Sequence, residues 1–378
     1  MKFLYRSINL GLLLVLVIPI VTAQTTLVDA PSDTRYQLER VTSANFPVGM
    51  VIAPDGRLFY NEKISGNVRV ILPDGTLQPE PVITLETDAL QERGMLGIAL
   101  DPNFAENSRM YVVHTAIATA RDFPANRLVR FVVDADNRAQ AVEELWRLPI
   151  ETGALLHNGG NVHFDDEGYL FLSVGDYGNP AYGQDRDAPQ GGIHRFQVTD
   201  AGLVPAEGNP FGDDNSLYAY GLRNPFDFTF DPYGDHLFTT ESGPACDDEI
   251  NMIVAGFNYG WGSDYDCVGA GVITGLSGIY APPLLSYTPT IAPTGIVVYD
   301  GAMFPQWQGD LFFCDWNTGV LRRVVLSDDR TRAETVHEID LGDVQCRVDL
   351  AIGNDGSLYF GTVSQGDGAI WRITTPTD

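Results

Sequence analysis

The sequence predicts an all-β fold, a six-bladed β-propeller, because one hairpin pattern occurs six times along the chain. In each copy an apolar run leads into a turn rich in Asp, Pro and Gly, and a second apolar run follows. Two apolar runs joined by a polar glycine turn are typical of a β-hairpin. Since one small sheet cannot bury both of its faces alone, copies that recur every ~45–70 residues indicate a radial array of sheets.

The copies run through nearly the whole chain, and the composition between them does not change. We therefore predict a single propeller domain over residues 41–378. The polar residues 24–40 are expected to form a lead or a strap ahead of it. In chain order, the copies are residues 50–60, 97–113, 162–172, 228–238, 296–313 and 350–360.

The amino terminus carries the pattern of a secretory signal peptide. Lys2 and Arg6 precede the apolar residues 12–21, and the small residue Ala23 follows them. This order predicts a signal peptide over residues 1–23 and a secreted or periplasmic protein. The alternative is an uncleaved membrane anchor. No later stretch has the ~18 consecutive apolar residues of a membrane span, so we expect none after cleavage.

Four cysteines fit an oxidising compartment, where an even number of cysteines indicates disulfides. Three pairings are possible. The preferred one joins Cys246 to Cys267 within the fourth repeat region and Cys314 to Cys346 between the fifth and sixth repeats.

The formal net charge is −27 at pH 7. A surface of this charge repels phosphate backbones and anionic lipids, which argues against nucleic acid and membranes as partners.

A propeller also predicts where function lies. The residues just before the first strand and just after the second strand of every blade share one end of the channel. A rim that concentrates ionisable side chains and glycines is typical of a small-molecule site. The segments before the first strands are residues 46–49, 92–94, 157–160, 221–225, 293–295 and 346–349. The residues after the second strands are Glu62, His114, Asp176, Glu241, Asp315 and Thr362.

These segments carry motifs that resemble the soluble PQQ-dependent glucose/sorbosone (aldose sugar) dehydrogenase family, over about residues 46–372. The motifs are His-Asn-Gly-Gly at 157–160, Tyr-Gly-Leu-Arg-Asn-Pro at 220–225, Glu-Ser-Gly-Pro at 241–244, Asp-Asp-Glu-Ile-Asn at 247–251 and Asn-Tyr-Gly-Trp at 258–261. The resemblance implies a six-bladed propeller that binds pyrroloquinoline quinone (PQQ) with Ca²⁺ and oxidises aldose sugars at C1 to lactones. Relatives of the Hedgehog-interacting protein, which bind partners, belong to the same family.

The resemblance assigns the catalytic roles to His157 and Asp176. His157 matches the family's general base, and an imidazole with an ordinary pKa of ~6.5 suits that role. Asp176 matches the carboxylate that orients the base. Both residues also fit ordinary glycine turns, which is the alternative interpretation.

The cofactor contacts follow from the same motifs. Arg223 and Asn224 match the residues that contact the quinone oxygens. The backbone carbonyls of Gly243 and Pro244 match the ligands of the cofactor's Ca²⁺, a hard cation that prefers oxygen. The acidic residues that follow could serve a nearby structural Ca²⁺ or form a solvated turn; they are Asp247, Asp248 and Glu249.

Several cations of the family's pocket are replaced here. The family's PQQ enzymes place a Lys in the fifth repeat, where this chain has Asn317. They also place an Arg-x-Arg before the sixth repeat, where this chain has Cys346 and Val348 at the two arginine positions and only Arg347 between them. After signal cleavage Lys63 is the sole lysine, and no nearby shift of the alignment restores the missing one. A Gln that contacts the cofactor aligns with Glu92. Glu92, Arg93 and Arg347 are therefore the remaining candidate cofactor contacts.

Three functions are compatible with these residues. The first is a secreted oxidoreductase that acts on an aldose sugar with PQQ, Ca²⁺ and an external electron acceptor, in an altered cofactor pocket. The second is a cofactor-free propeller that keeps a Ca²⁺ and binds a carbohydrate or a protein. The third is a Ca²⁺-dependent lactonase with Glu62, Asp176 and Glu241 as metal ligands.

Overall fold

A computed structural model describes residues 25–376, except residues 152, 270, 272, 274 and 364–367. The predicted signal peptide over residues 1–23 lies outside this range. In the described part of the chain, no helix has the length and apolarity that a membrane crossing requires.

The regular structure consists almost entirely of β-strands. The first fourteen are β1 (Leu27–Asp29), β2 (Thr34–Ser43), β3 (Pro47–Ile52), β4 (Leu58–Glu62), β5 (Asn67–Ile71), β6 (Ile83–Thr84), β7 (Met95–Leu100), β8 (Arg109–Ala116), β9 (Ala125–Val133), β10 (Ala139–Pro149), β11 (Gly159–Phe164), β12 (Leu170–Val174), β13 (Gly192–Thr199) and β14 (Gly202–Pro205). The remaining strands are β15 (Leu217–Tyr220), β16 (Pro225–Phe230), β17 (Leu237–Glu241), β18 (Asp248–Ile253), β19 (Phe257–Asn258), β20 (Ile279–Tyr280), β21 (Leu285–Tyr287), β22 (Pro293–Val298), β23 (Leu311–Asp315), β24 (Leu321–Leu326), β25 (Ala333–Ile339), β26 (Leu350–Ile352), β27 (Leu358–Thr362) and β28 (Ala369–Thr374). The described helices are short: α1 (Phe104–Asn107) and 3₁₀ turns at Pro180–Gln184 and Pro305–Trp307.

The strands form six sheets, numbered here in chain order. The first sheet contains β3–β6, the second β7–β10 and the fifth β22–β25. The third contains β11–β15 with β19 and β20, and the fourth contains β16–β18 with β21. The sixth contains β26–β28 together with β1 and β2 from the start of the chain.

Each predicted hairpin is present as the first antiparallel pair of one sheet. The pairs are β3/β4, β7/β8, β11/β12, β16/β17, β22/β23 and β26/β27. The prediction succeeds because an Asp/Pro/Gly turn between two apolar runs is a local signal, independent of distant residues.

The first strands of the sheets surround a central channel. Each contacts the first strand of the next sheet, and β26 contacts β3, so that the ring closes. The predicted all-β propeller is therefore confirmed. Ring closure also involves the described part, residues 25–40, of the predicted lead or strap over residues 24–40. These residues include β1 and most of β2, and β2 pairs with β28 in the sixth sheet.

The core lies between neighbouring sheets. Near the closure strand β2, the largest side chain of the core is Trp307, which is fully buried. The Trp307 ring centroid is 5.7 Å from that of Tyr36 on β2 and 5.2 Å from that of Phe312 on β23. Large interlocked rings of this kind make the junction between the ends of the chain well packed.

Two disulfides confirm the preferred cysteine pairing. Cys246 is bonded to Cys267 and Cys314 to Cys346. Cys314 lies on β23 and Cys346 precedes β26, so the second bond joins the fifth sheet to the sixth.

Candidate active site

A pocket of about 360 Å³ opens at one end of the channel, and we call it the channel pocket. Residues from all six segments that precede the first strands line it. They include Phe46, Glu92, Asn158, Asn224, Thr294 and Val348. The repeat pattern alone therefore located the segments that surround this end of the channel.

A histidine–aspartate pair stands at the third sheet. His157 precedes β11 and Asp176 follows β12, so the hairpin brings the two residues together. His157 Nδ1 lies 2.6 Å from Asp176 Oδ1. Because an ionised carboxylate only accepts hydrogen bonds, Nδ1 carries the proton and Nε2 is left as the basic nitrogen. His157 is nearly buried, and the residues that follow it, Asn158 and Gly159, line the channel pocket.

Three donors fix the fully buried carboxylate of Asp176. Oδ1 also accepts a hydrogen bond from the backbone N–H of Gly178 at 2.7 Å. Oδ2 accepts one from Nε1 of Trp261 at 2.8 Å. Since both oxygens are held, the orientation of the His157 ring is fixed as well, which is what a general base requires.

Arg223 and Asn224 lie between the channel pocket and a second, smaller cavity. Asn224 Oδ1 accepts a hydrogen bond from the Gly159 backbone at 3.1 Å. The Arg223 guanidinium donates to the Ser242 carbonyl at 2.7 Å and lies 5.5 Å from the Trp261 ring centroid. The predicted pair is therefore placed beside His157, with Asn224 at the pocket wall.

The carboxylate of Glu241 holds the backbone of Arg223 and Asn224 in place. Its Oε1 accepts the backbone N–H groups of both Arg223 and Asn224 at 2.8 Å. Its Oε2 is buried and has no hydrogen-bond partner among the described residues. Burial raises the pKa of the Glu241 carboxyl to about 8.

The smaller cavity, of about 10 Å³, lies beside Glu241, and we call it the acidic cavity. Gly243, Pro244, Asp247 and Glu249 also line it. Burial, together with the nearby carboxylates of Asp247 and Asp248, raises the pKa of the Glu249 carboxyl to about 8. Two buried carboxyl groups around a space of this size favour a bound cation, because an unpaired buried charge is costly.

Asp247 and Asp248 hold loops in place. Asp247 Oδ2 accepts hydrogen bonds from the backbones of Val268 and Gly269 at 2.8 and 3.0 Å. Asp248 accepts hydrogen bonds from the backbones of Gly243 and Ile291 at 2.7 and 2.6 Å. Cys246 and Cys267 approach Asp247 as metal ligands would, but their sulfur atoms are bonded to each other.

The structure separates the three remaining candidate cofactor contacts. Glu92 lines the channel pocket, and its carboxylate accepts the backbone N–H of His157. The Arg93 guanidinium turns away to the Ala154 carbonyl and to Asp88, 2.8 Å away. Arg347 donates to Gln345 at 2.9 Å and to the Trp316 carbonyl, outside the channel pocket.

The predicted ligand set of the lactonase is not brought together either. Glu62 accepts hydrogen bonds from Asn45, Ser65 and Asn67, Asp176 is paired with His157, and Glu241 faces the acidic cavity. Glu62 and Glu241 therefore line two different cavities.

Lys63 is the functional candidate that sequence reasoning missed. It is the one lysine in the described part of the chain, and it lines the channel pocket. Its Nζ donates to the carbonyls of Gln91 and Arg93 at 2.6 and 2.7 Å. Burial lowers the pKa of the Lys63 ammonium, whereas Glu92 and Asp88 oppose that shift. Its position directly after β4, on the predicted rim, was the available signal.

Two stacked rings form one side of the channel pocket, and we call them the aromatic wall. The Phe46 and Trp316 ring centroids are 5.8 Å apart, with an interplanar angle of 13°. Lys63 lies 5.4 Å from the Phe46 ring and Arg347 lies 5.8 Å from the Trp316 ring. The aromatic wall joins the first sheet to the fifth. Next to Trp316 in the sequence is Asn317, which stands where the family's PQQ enzymes place a lysine.

The fold and this geometry define a propeller protein with a pocket at one end of its channel. The family model of Glucose / Sorbosone dehydrogenase matches residues 44–372, so the chain belongs to that family. The family that the motifs indicated is thereby confirmed.

Individual relatives agree with this assignment. The chain is 29% identical over 359 residues to the uncharacterized protein slr1608 of Synechocystis, covering 86% of this chain and 83% of that one. It is 28% identical over 298 residues to the aldose sugar dehydrogenase YliI of Escherichia coli, covering 74% and 77%. The PQQ-bound form of the aldose sugar dehydrogenase from Streptomyces coelicolor is a structural neighbour, with a TM-score of 0.73, 25% identity and coverage of 90% and 98%.

Proposed function

We propose that this protein is an aldose sugar dehydrogenase that oxidises the C1 hydroxyl of a sugar to a lactone and passes the hydride to PQQ. The observation that carries the proposal is the His157–Asp176 pair, with 2.6 Å between Nδ1 and Oδ1, beside the channel pocket. We also propose that the six sheets are six blades of one propeller domain, and that the protein is exported after loss of residues 1–23.

The chain's own residues perform the proton transfer. His157 Nε2 accepts the proton of the C1 hydroxyl while the electron pair of the C1–H bond leaves as hydride, and C1 becomes the lactone carbonyl. Asp176 stabilises the imidazolium that forms and keeps the ring aligned, as the acid of a catalytic triad does. When bound, PQQ supplies the hydride acceptor.

The acidic cavity fits a calcium ion. Glu241 Oε2 is a buried oxygen without a partner among the described residues, and Glu249 is a second buried carboxyl group. A hard divalent cation takes such oxygens together with backbone carbonyls, of which Gly243 and Pro244 are the candidates. When bound, calcium would supply positive charge next to Arg223.

The channel pocket fits an oxygen-rich ligand such as PQQ. Thr294 lines the pocket, and its buried Oγ1 has no hydrogen-bond partner among the described residues. Asn224 and Lys63 line the same pocket. Since an ammonium has three N–H groups and the two described acceptors of Lys63 are backbone carbonyls, one N–H remains for a ligand.

A second candidate is a cofactor-free propeller that keeps the cation and binds a carbohydrate or a protein. The orientation of Arg93 and Arg347 favours it, because neither guanidinium lines the channel pocket. PQQ carries three carboxylates, and each charge-assisted hydrogen bond that is missing costs roughly 1.5–3 kcal/mol of affinity.

A titration separates the two candidates. Purified, calcium-loaded protein is titrated with PQQ while the cofactor absorbance is followed, and dye reduction is then measured with glucose. Micromolar or tighter binding with turnover supports the dehydrogenase, and Lys63→Met should weaken that binding roughly tenfold, or about 1.4 kcal/mol. Asp88→Asn, which loosens the same loop but keeps the lysine, is the matched control. A folded protein that does not bind PQQ would instead support the second candidate.

A further inference from the structure

The loop that follows β19 forms one wall of the acidic cavity, and we call residues 261–269 the cavity loop. Trp261 and Tyr265 of this loop both line the cavity. Their ring centroids are 5.3 Å apart. A contact that fixes this loop therefore also fixes one wall of the cavity and, through the Trp261 indole, the carboxylate of Asp176.

Two ties hold the cavity loop against the start of β18, and together we call them the clasp. The first is the disulfide between Cys246 and Cys267. The second is the carboxylate of Asp247, whose Oδ2 accepts the backbone N–H groups of Val268 and Gly269 at 2.8 and 3.0 Å. Cys246 directly precedes Asp247, and Cys267 directly precedes Val268. The covalent tie and the hydrogen-bonded tie are therefore adjacent.

The covalent tie strengthens the hydrogen-bonded one. The disulfide spans 21 residues, and a loop that is already closed loses little further entropy when Asp247 binds the opposite backbone. Asp247 itself is also held from the fourth sheet, because its Oδ1 accepts the hydroxyls of Ser286 and Thr288 at 3.2 and 3.1 Å. Opening the disulfide therefore loosens the cavity loop, whereas Asp247 keeps its place.

The Tyr265 side chain connects the clasp to the cavity. Its hydroxyl donates to Asp247 Oδ2 at 3.0 Å, the same oxygen that holds the loop backbone. Asp247 and Tyr265 both line the acidic cavity. When the cavity loop loosens, the cavity loses the contact that closes this side.

The two disulfides of the chain differ in access. Cys267 is exposed on the cavity loop, whereas Cys314 and Cys346 are both fully buried. Thiol–disulfide exchange begins when a thiolate attacks one sulfur atom of the bond, so it requires access to that atom. Cys267 meets this requirement, and the buried disulfide does not.

We propose that Cys267 is a thiol-exchange site and that the clasp is a redox latch on the calcium site of the acidic cavity. A dithiol reductant attacks the sulfur of Cys267, the S–S bond breaks, and Cys246 leaves as a thiolate that takes up a proton. The second thiol of the reductant then releases Cys267. The protein disulfide gains two electrons and two protons, and the dithiol becomes a disulfide. The calcium ion rests on the proposed function, whereas the exchange at Cys267 does not require it.

Calcium binding and the closed clasp favour each other. With the cavity loop in place, Glu241 and Glu249 line an enclosed space of about 10 Å³. A loosened loop admits water, which weakens the attraction between a cation and these carboxylates. Linkage is reciprocal, so a disulfide that strengthens calcium binding is itself stabilised by calcium.

The first test follows the reduction of both disulfides by dithiothreitol, a dithiol, with and without saturating calcium. Thiols are alkylated at intervals and located by peptide mass spectrometry. We expect Cys246 and Cys267 to be labelled before Cys314 and Cys346, and calcium to slow their labelling at least about tenfold. Labelling of the buried pair first, or labelling that calcium does not slow, would overturn the proposal.

A cavity variant locates the calcium effect. Glu241→Gln should remove most of the protection that calcium gives to Cys246 and Cys267. Glu334→Gln on the exposed side of β25 is the matched control and should keep it. Protection that persists in Glu241→Gln would mean that calcium acts from another site, and the latch would be refuted.

Calcium affinity is the second readout, measured by calorimetry. The protein reduced only at Cys246 and Cys267, and the Cys246→Ser/Cys267→Ser variant, should each bind calcium at least about tenfold more weakly than the oxidised protein. The variant should not respond further to dithiothreitol, and its circular dichroism checks that it is folded. Equal calcium affinities in the oxidised and reduced protein would contradict the latch.

The outcomes also separate this proposal from the proposed function. Calcium binding that depends on the disulfide, in a protein that never reduces the dye with PQQ, would support the latch and contradict the dehydrogenase. Sugar oxidation with a calcium affinity that ignores the disulfide would do the reverse.

Discussion

The indole of Trp261 donates a hydrogen bond to Asp176 Oδ2 over 2.8 Å, although 85 residues separate the two in the sequence. The loop that follows β19 thus contacts the end of β12 within the third sheet and secures the carboxylate that orients His157. The same ring lies 5.5 Å from the Arg223 guanidinium carbon. One side chain therefore links the predicted base, its orienting acid and the predicted quinone contact.

Replacing His157 with Ala should abolish sugar oxidation. General-base catalysis contributes roughly 10²–10⁴-fold, so kcat should fall by at least that factor. The fold should remain, because the ring makes one described side-chain hydrogen bond, to Asp176. Steady-state rates and melting curves measure both effects, with His337→Ala on β25 as the control. Normal turnover of His157→Ala would exclude it as the base.

Replacing Trp261 with Phe should impair the positioning of the base. The change keeps an aromatic ring but leaves a buried carboxylate oxygen unpaired, which costs about 1–3 kcal/mol. We expect kcat to fall roughly 10–100-fold, by the conversion of ~1.4 kcal/mol per tenfold, while KM for the sugar changes little. Trp371→Phe in the sixth sheet serves as the control. A change in KM alone would show that Trp261 acts on binding rather than on His157.

The propeller and the position of its site were predictable because their signals are local. Each hairpin is specified by its own turn, and a blade places the residues before β11 and after β12 at one end of the channel. This geometry predicts His157 and Asp176 on one rim, and the family resemblance then pairs them as base and orienting acid. The same logic applied to Asn224, which precedes β16 and lines the channel pocket.

The directions of long cationic side chains were not predictable, because distant partners decide them. The Arg93 guanidinium donates a hydrogen bond to the carbonyl of Ala154, which is 61 residues away in the sequence. Lys63 reaches the channel pocket because the carbonyls of Gln91 and Arg93 hold its ammonium group. The aromatic wall pairs Phe46 with Trp316 from the fifth sheet, and no sequence spacing encodes that contact.

Calcium removal should destabilise the protein through the acidic cavity. An ion that binds only the folded state stabilises it by about 2.7 kcal/mol when its concentration is 100 times its Kd. A chelator should therefore lower the melting temperature, and Glu241→Gln should remove most of that response. Glu334→Gln on the exposed side of β25 is the matched control. An unchanged response in Glu241→Gln would place the ion at another site.

Acid should destabilise the fold through His194. This residue lies on β13 and is buried. Its Nδ1 is 2.9 Å from Ser216 Oγ, and its Nε2 donates a hydrogen bond to the Pro189 carbonyl at 2.8 Å. Burial lowers the pKa of the His194 imidazole from 6.5 to about 4. The unfolded chain therefore takes up the proton first, and stability is lost as the pH falls from about 6.5 toward about 4.

The size of this acid effect follows from the same shift. At ~1.36 kcal/mol per pKa unit, His194 should account for about 3 kcal/mol across that interval. Because many carboxylates titrate in the same pH range, the contribution of His194 is measured as a difference in melting temperature between variants and the parent protein. The melting temperature of His194→Gln should fall less steeply between pH 6.5 and 4.5 than that of the parent protein and of His337→Gln. Parallel curves would assign the acid sensitivity to other groups.

Removing the disulfide between Cys314 and Cys346 should destabilise the ring more than removing the other one. The two bonds span 32 and 21 residues, so their loop-closure entropies differ by less than about 0.5 kcal/mol. Cys314 and Cys346 are both fully buried, and their bond joins two sheets, whereas Cys267 is exposed. The Cys314→Ala/Cys346→Ala variant should therefore lose about 2–5 kcal/mol, measured by denaturant unfolding. Equal losses in this variant and in Cys246→Ala/Cys267→Ala would mean that only the loop length matters, and that the link between the fifth and sixth sheets adds nothing to ring closure.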